Sequence, residues 1–123
     1  MKETETATVA IIGECMLELS QGTGIPADGN RAMTLSYGGD TLNTAIYLSR
    51  LGVSVDYVTA LGDDSMSDWL IEQWREEGVG CGLVQRFPGS VPGLYMIQTD
   101  DQGERSFLYW RDSSPARRIF DDE

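Results

Sequence analysis

The alternation of apolar runs with helical patterns constrains the fold of this 123-residue chain more than any other feature. Two segments, 41–51 and 65–77, carry apolar residues at helical spacing, and a glycine follows each of them. Apolar, β-branched runs come before them, at 8–13 and 53–62. Strand, helix, strand and helix in this order predict βαβ connections, so we expect an α/β fold with a parallel sheet.

Short extended segments outside this alternation predict additional strands. They lie near 15–20, near 31–36 and within 83–111, where the apolar pattern changes to a period of two. Two parallel strands with two helices cannot cover both faces of a sheet. We therefore expect residues 1–123 to be the N-terminal portion of a larger α/β domain.

A hairpin is the most specific local prediction in the second half of the chain. Residues 101–103, Asp-Gln-Gly, form a three-residue turn in which the glycine takes the left-handed position. This turn sets a register that pairs Tyr95 with Tyr109. Because side chains alternate along a strand, we expect Tyr95, Tyr109 and Arg111 on one face of the hairpin.

Composition excludes several classes of function. A formal net charge of -11 with a single lysine opposes binding to nucleic acid or to anionic membranes. No apolar run approaches the roughly 20 residues of a membrane span, and the first residues do not resemble a secretory signal. Two cysteines and no histidine rule out a thiol protease and favour a reducing cytoplasm.

Two adjacent glycines, Gly38 and Gly39, precede the first predicted helix. One interpretation is a tight turn, with Asp40 or Thr41 as the helix cap. The other is a ligand site, because the free N–H groups of a helix start suit a carboxylate, a phosphate or sugar hydroxyls. Asn43 on the first turn adds a donor and an acceptor. No phosphate-loop motif is present.

Taken whole, the stretch GGDTLNTAIYLSRLGVSVDYVTALGDD resembles the N-terminal signature of the ribokinase-like (PfkB) carbohydrate kinases. The positions that match are Gly38, Gly39, Asn43, Ala45, Gly52 and Gly62. Thr41 departs from the pattern, since a smaller residue is usual there. GGDTLNTA, IGECMLEL and FLYWRDSSPAR are similar to the 2-keto-3-deoxygluconate kinase branch, and the resemblance runs from Val9 to Arg118.

The resemblance implies the N-terminal part of a parallel-sheet α/β domain with a small β-sheet lid, built from the strands near 15–20, 31–36 and 83–111. It implies ATP-dependent phosphorylation of 2-keto-3-deoxygluconate to the 6-phosphate, with Mg²⁺, and a possible homodimer through the lid. The residues that it implies in substrate binding are Gly38, Gly39, Asp40, Asn43, Tyr95, Tyr109 and Arg111.

Catalytic, cofactor-binding and metal-binding residues are expected to be absent from residues 1–123. In the family, the catalytic aspartate and the anion hole belong to a later GAGD-type segment, which this sequence lacks. The chain alone is therefore expected to be inactive. Two alternatives remain open: another PfkB sugar kinase, such as a fructokinase or ribokinase, or a non-catalytic sugar-binding or dimerisation fragment. The alternative roles of these side chains are packing of the lid sheet for Tyr95 and Tyr109, and a surface ion pair with Asp112 for Arg111.

Overall fold

Two sheets and two helices make up the described part of the chain, residues 9–22 and 28–121 of a computed structural model. In chain order the elements are β1 (Val9–Ile12), β2 (Met16–Gln21), β3 (Met33–Gly38), α1 (Asp40–Arg50), β4 (Val55–Gly62), α2 (Ser65–Glu76), β5 (Val84–Phe87), β6 (Leu94–Thr99), β7 (Arg105–Trp110) and a 3-10 turn (Pro115–Arg118). The first residues and residues 23–27 lie outside this description.

A parallel sheet with the order β1-β4-β5 confirms the predicted α/β class. Alternate residues of β4 join the apolar faces of α1 and α2 in one buried cluster. At its centre, the rings of Tyr57 and Trp74 pack edge to face, with centroids 5.3 Å apart. Val9 and Ile11 of β1 also pack there, whereas Ile12 points the other way and is 49% exposed. The opposite face of the sheet is thus partly open.

The prediction that every strand within 83–111 belongs to the lid is wrong for β5. The range 83–111 included β5, but β5 pairs in parallel with β4, with Thr59 opposite Val84. A helix between two strands favours this parallel crossover, and α2 provides it. The four-residue strand has only its two ends half-buried, so its pattern does not distinguish a parallel edge strand from a lid strand.

The two helices begin differently. Asp64 caps α2, and one of its carboxylate oxygens accepts hydrogen bonds from the N–H groups of Met66 and Ser67 at 3.1 and 3.2 Å. The predicted side-chain cap of α1 is wrong. Gly39 occupies the N-cap position without a side-chain hydrogen bond, because the helix begins one residue earlier, at Asp40.

The second sheet, called the lid sheet below, has the strand order β3-β2-β6-β7. The hairpin of β6 and β7 has the predicted register, with Tyr95 opposite Tyr109. Its turn closes with a hydrogen bond of 2.9 Å from the N–H of Asp100 to the carbonyl of Glu104, and Gly103 has a φ of 81°. β2, the strand that follows β1, joins the hairpin through a parallel pairing with β6.

Candidate substrate-binding site

The glycine pair joins β3 of the lid sheet to the start of α1. Gly38 ends β3, and a Cβ built on it would overlap the hydroxyl of Tyr95. Gly39 has a φ of 143°, and a Cβ on it would lie 2.6 Å from the carbonyl oxygen of Glu14. Both positions therefore need glycine for a close approach within the protein, a requirement that neither sequence interpretation anticipated.

The start of α1 follows this pair directly. The N–H of Asn43 donates to the carbonyl of Gly39 at 2.9 Å, which is the first turn of the helix. Among the described contacts, no side chain or backbone carbonyl accepts from the three preceding amides, of residues 40–42. These amides form the positive end of an eleven-residue helix, which attracts anionic and hydroxyl groups.

The inner lid face consists of Glu18, Tyr95, Phe107, Tyr109 and Arg111. The ring centroids of Tyr95 and Tyr109 lie 6.1 Å apart, and the guanidinium of Arg111 sits 4.7 Å from the centroid of Tyr109. This stacking places the predicted tyrosines and arginine on one face, as the hairpin register required. Arg111 forms no ion pair with Asp112 in residues 9–22 and 28–121; Asp112 lies instead 3.9 Å from Arg117.

Glu18 is a site residue that the sequence reasoning missed. It lies opposite Tyr95 in the pairing of β2 with β6, and the Tyr95 hydroxyl donates a hydrogen bond to its Oε1. Burial, followed by this bond to Glu18, raises the pKa of Tyr95 above its usual range. Tyr95 therefore stays protonated, with its proton directed at Glu18. Its oxygen can accept a hydrogen bond from a ligand hydroxyl but has no proton left for a carboxylate.

Glu14 is the second site residue that was missed, although the stretch that contains it was quoted for its family resemblance. It lies between β1 and β2, and its Oε2 is buried without a hydrogen-bond partner among the described residues. A Cβ built on Gly93 would lie 3.0 Å from this oxygen and 3.0 Å from the Cβ of Arg111. Glu14 thus lies beside the lid strand end that carries Arg111.

Thr41, the residue that departs from the family pattern, has a structural role. Its hydroxyl and the hydroxyl of Tyr57 are 2.8 Å apart, and burial raises the pKa of Tyr57. A Cβ on Gly13 would overlap the Thr41 side chain, so the threonine fills the space left by that glycine. Thr41 therefore holds the start of α1 against β4 and satisfies a buried phenol.

Asp40 and Asn43 follow the glycine pair directly and are exposed on the first turn of α1. Within the described range, neither side chain forms a hydrogen bond with a residue of the inner lid face. The carbonyl of Asp40 accepts a hydrogen bond from the Thr44 hydroxyl at 3.0 Å, which ties it to its own helix.

In the part of the chain that the structure describes, no group of three or more histidine, cysteine, aspartate or glutamate side chains is arranged to hold a metal ion. None of the helices described for residues 9–22 and 28–121 is long and apolar enough to cross a membrane. The candidate site offers the guanidinium of Arg111, phenol hydroxyls, carboxylates and the free amides at the start of α1.

Comparison with known proteins identifies the family. Residues 6–118 match the family described as pfkB family carbohydrate kinase. The chain belongs to this family. The resemblance noted from the glycine pair and the later glycines is therefore confirmed, and so is the ribokinase-like fold.

Relatives within the pfkB family place the chain more closely. A 2-dehydro-3-deoxygluconokinase of Dickeya dadantii is 52% identical over 116 residues, 91% of this chain and 35% of that protein. The structure of a 2-dehydro-3-deoxygluconokinase from Thermotoga maritima matches with a TM-score of 0.79 and 26% identity, over 94% of this chain and 37% of that one. A fructokinase from Xylella fastidiosa with bound ATP has a TM-score of 0.78 and 27% identity, over 88% and 34%. The chain spans about a third of each relative's length.

Proposed function

We propose that this chain forms the sugar-binding portion of an ATP-dependent kinase of 2-keto-3-deoxygluconate, also named 2-dehydro-3-deoxygluconate, which yields the 6-phosphate. The observation that carries the proposal is the stacking of Arg111 on Tyr109, beside Tyr95, on one lid face. The glycine pair brings this face to the start of α1. The high identity to the Dickeya protein supports the choice of substrate within the family.

The groups on the inner lid face suit a sugar acid. The guanidinium of Arg111 is permanently charged, and it can bind a carboxylate through two parallel hydrogen bonds. Tyr109 is 52% exposed, so its hydroxyl is free to donate to the same carboxylate. Tyr95 already donates to Glu18 and accepts from a sugar hydroxyl instead. A neutral sugar has no carboxylate to pair with Arg111, which favours the acid over fructose or ribose as the substrate.

Phosphoryl transfer needs groups other than those of the proposed sugar site. A base must take the proton of the attacking hydroxyl, and an anion hole must hold the transferred phosphoryl group. ATP and Mg²⁺ supply the phosphoryl donor and its charge neutralisation when they are bound. We propose that the base, the anion hole and the nucleotide site lie outside this chain, which then binds the sugar acid without converting it.

Calorimetric titration of the purified chain with 2-dehydro-3-deoxygluconate and with fructose tests this proposal. The acid is expected to bind more tightly, because only the acid engages Arg111. Adding ATP and Mg²⁺ is expected to give no phosphorylated product. Equal affinity for the two sugars would favour another sugar kinase of the family, and clear turnover would refute the binding-only role.

A second copy of the chain is the partner that we propose for the outer lid face, which consists of Leu19, Leu35, Met96, Leu108 and Trp110. These residues alternate with the inner-face residues in the strand register, and Leu35, Leu108 and Trp110 are 40%, 43% and 53% exposed. An apolar surface of this kind favours association. Sedimentation velocity is expected to show a dimer for the wild type. The substitution Leu108→Glu should dissociate this dimer, whereas Tyr47→Glu, on α1, should leave it intact. A monomeric wild type would contradict the pairing.

We also infer that the protein works in the reducing cytoplasm. Cys15 and Cys81 are both free thiols; Cys15 is fully buried and Cys81 is partly buried. Burial raises the pKa of each thiol, so both pack as small neutral side chains. A reducing compartment preserves such thiols.

A further inference from the structure

Glu14 has a carboxylate oxygen for which the described residues supply no hydrogen-bond partner. We propose that Glu14 is a further substrate-binding residue, whose Oε2 accepts a hydrogen bond from a hydroxyl of the sugar acid and so fixes which end of the acid faces Arg111. This inference rests on the proposed function, because it names a second group of the same site.

Two glycines fix the position of Glu14. Its backbone carbonyl packs against Gly39, at the start of α1. Its side-chain Oε2 lies against Gly93, and the Cβ of Arg111 approaches the same glycine. Glu14 therefore lies beside both the start of α1 and the strand end that carries Arg111. This is also the carboxyl end of β1, where ligands of open α/β sheets bind.

A buried oxygen without a partner is costly, and most such oxygens find one. In the described ranges, two other buried side-chain atoms lack a partner, Thr59 Oγ1 and Trp74 Nε1. Both residues are fully buried, and Trp74 is part of the apolar core cluster, where no ligand can reach. Glu14 differs, because its side chain as a whole is partly exposed. A rotation of the partly exposed Glu14 side chain would bring Oε2 to the surface, where a ligand can supply the missing hydrogen bond.

The charge of Glu14 also determines how a sugar acid would lie. An ionised carboxylate accepts hydrogen bonds from hydroxyl groups and repels a second carboxylate. The acid end of the ligand is therefore excluded from Glu14 and is attracted to Arg111. A hydroxylated carbon of the chain would face Glu14, so the two charges together select one orientation of the substrate.

The experiment compares Glu14→Gln with wild type in the 1–123 chain. Glutamine keeps the size of the side chain but makes a neutral hydrogen bond, so the Kd for 2-dehydro-3-deoxygluconate is expected to rise about tenfold. Binding of 2-oxobutanoate, an acid without hydroxyls, is expected to stay equal or to strengthen. The Tm is expected to hold or rise, because an unpartnered buried charge is removed. Glu72→Gln, on the exposed face of α2, is the matched control for net charge.

The outcomes separate this inference from the proposed function. If wild type binds neither acid, the proposed function fails and the inference fails with it. If wild type binds the sugar acid and Glu14→Gln binds it equally well, only the inference is overturned. A lower Tm with unchanged affinity would assign Glu14 a purely structural role, and equal losses for the sugar acid and 2-oxobutanoate would also contradict a hydroxyl contact.

Discussion

Replacing Arg111 with alanine is expected to weaken binding of 2-dehydro-3-deoxygluconate by about 10- to 100-fold. Hydrogen bonds to charged groups contribute roughly 1.5–3 kcal/mol, and a tenfold change corresponds to about 1.4 kcal/mol. Arg111 is exposed, and its guanidinium stacks on Tyr109, which orients it toward the inner lid face. Titration calorimetry with the acid and with fructose measures the effect.

Two further variants make the Arg111 prediction specific. Arg105→Ala removes the same charge at the start of β7, roughly 20 Å along the strand at about 3.3 Å per residue, and should leave the affinity nearly unchanged. Arg111→Lys keeps the charge but loses the planar fork, so its affinity should fall between wild type and alanine. If Arg111→Ala weakened binding of fructose as much as that of the acid, the carboxylate contact would be wrong.

Replacing Gly39 with alanine is expected to reduce the free energy of unfolding by about 3 kcal/mol or more. The φ of 143° and ψ of 138° lie in a region that side-chain-bearing residues rarely adopt, which costs roughly 1–3 kcal/mol. The new Cβ would also lie 2.6 Å from the backbone carbonyl of Glu14. A backbone atom cannot rotate away as a flexible side chain can, so the start of α1 and the connection between β1 and β2 would have to move apart. Urea unfolding followed by circular dichroism measures the loss.

Gly103→Ala is the matched control for this substitution. Gly103 also has a positive φ, 81°, but a Cβ on it would have no neighbour within 4 Å. The free energy of unfolding that Gly103→Ala loses should therefore reflect the backbone conformation alone, about 1–2 kcal/mol. The difference between the two variants isolates the contact with Glu14. Equal losses would mean that a Cβ at position 39 is accommodated beside the Glu14 carbonyl without additional cost.

Local features of this fold could be read from the sequence. The hairpin register follows from its three-residue turn, because the turn alone determines which residues pair. The register in turn predicted that Tyr95, Tyr109 and Arg111 share a face. The ends of both helices at Gly52 and Gly78 are local in the same sense, and both glycines have positive φ angles.

Features that depend on contacts between distant segments could not be read in this way. The pairing of β2 with β6 joins residues 77 positions apart and creates the bond between Glu18 and Tyr95. No local pattern encodes that pairing. The same holds for β5, whose four residues fit either sheet until the neighbouring strand is known. Glu14 was missed because its importance lies in a lack of partners, which only three-dimensional packing reveals.

The most direct test of a sugar-acid site between the glycine pair and the inner lid face is a ¹⁵N NMR titration of the 1–123 chain with 2-dehydro-3-deoxygluconate. The largest amide shift changes are expected at Gly38, Gly39, Tyr95, Tyr109 and Arg111, and fructose at the same concentration should change them less. Changes confined to the outer lid face, or no saturable change at all, would contradict the site.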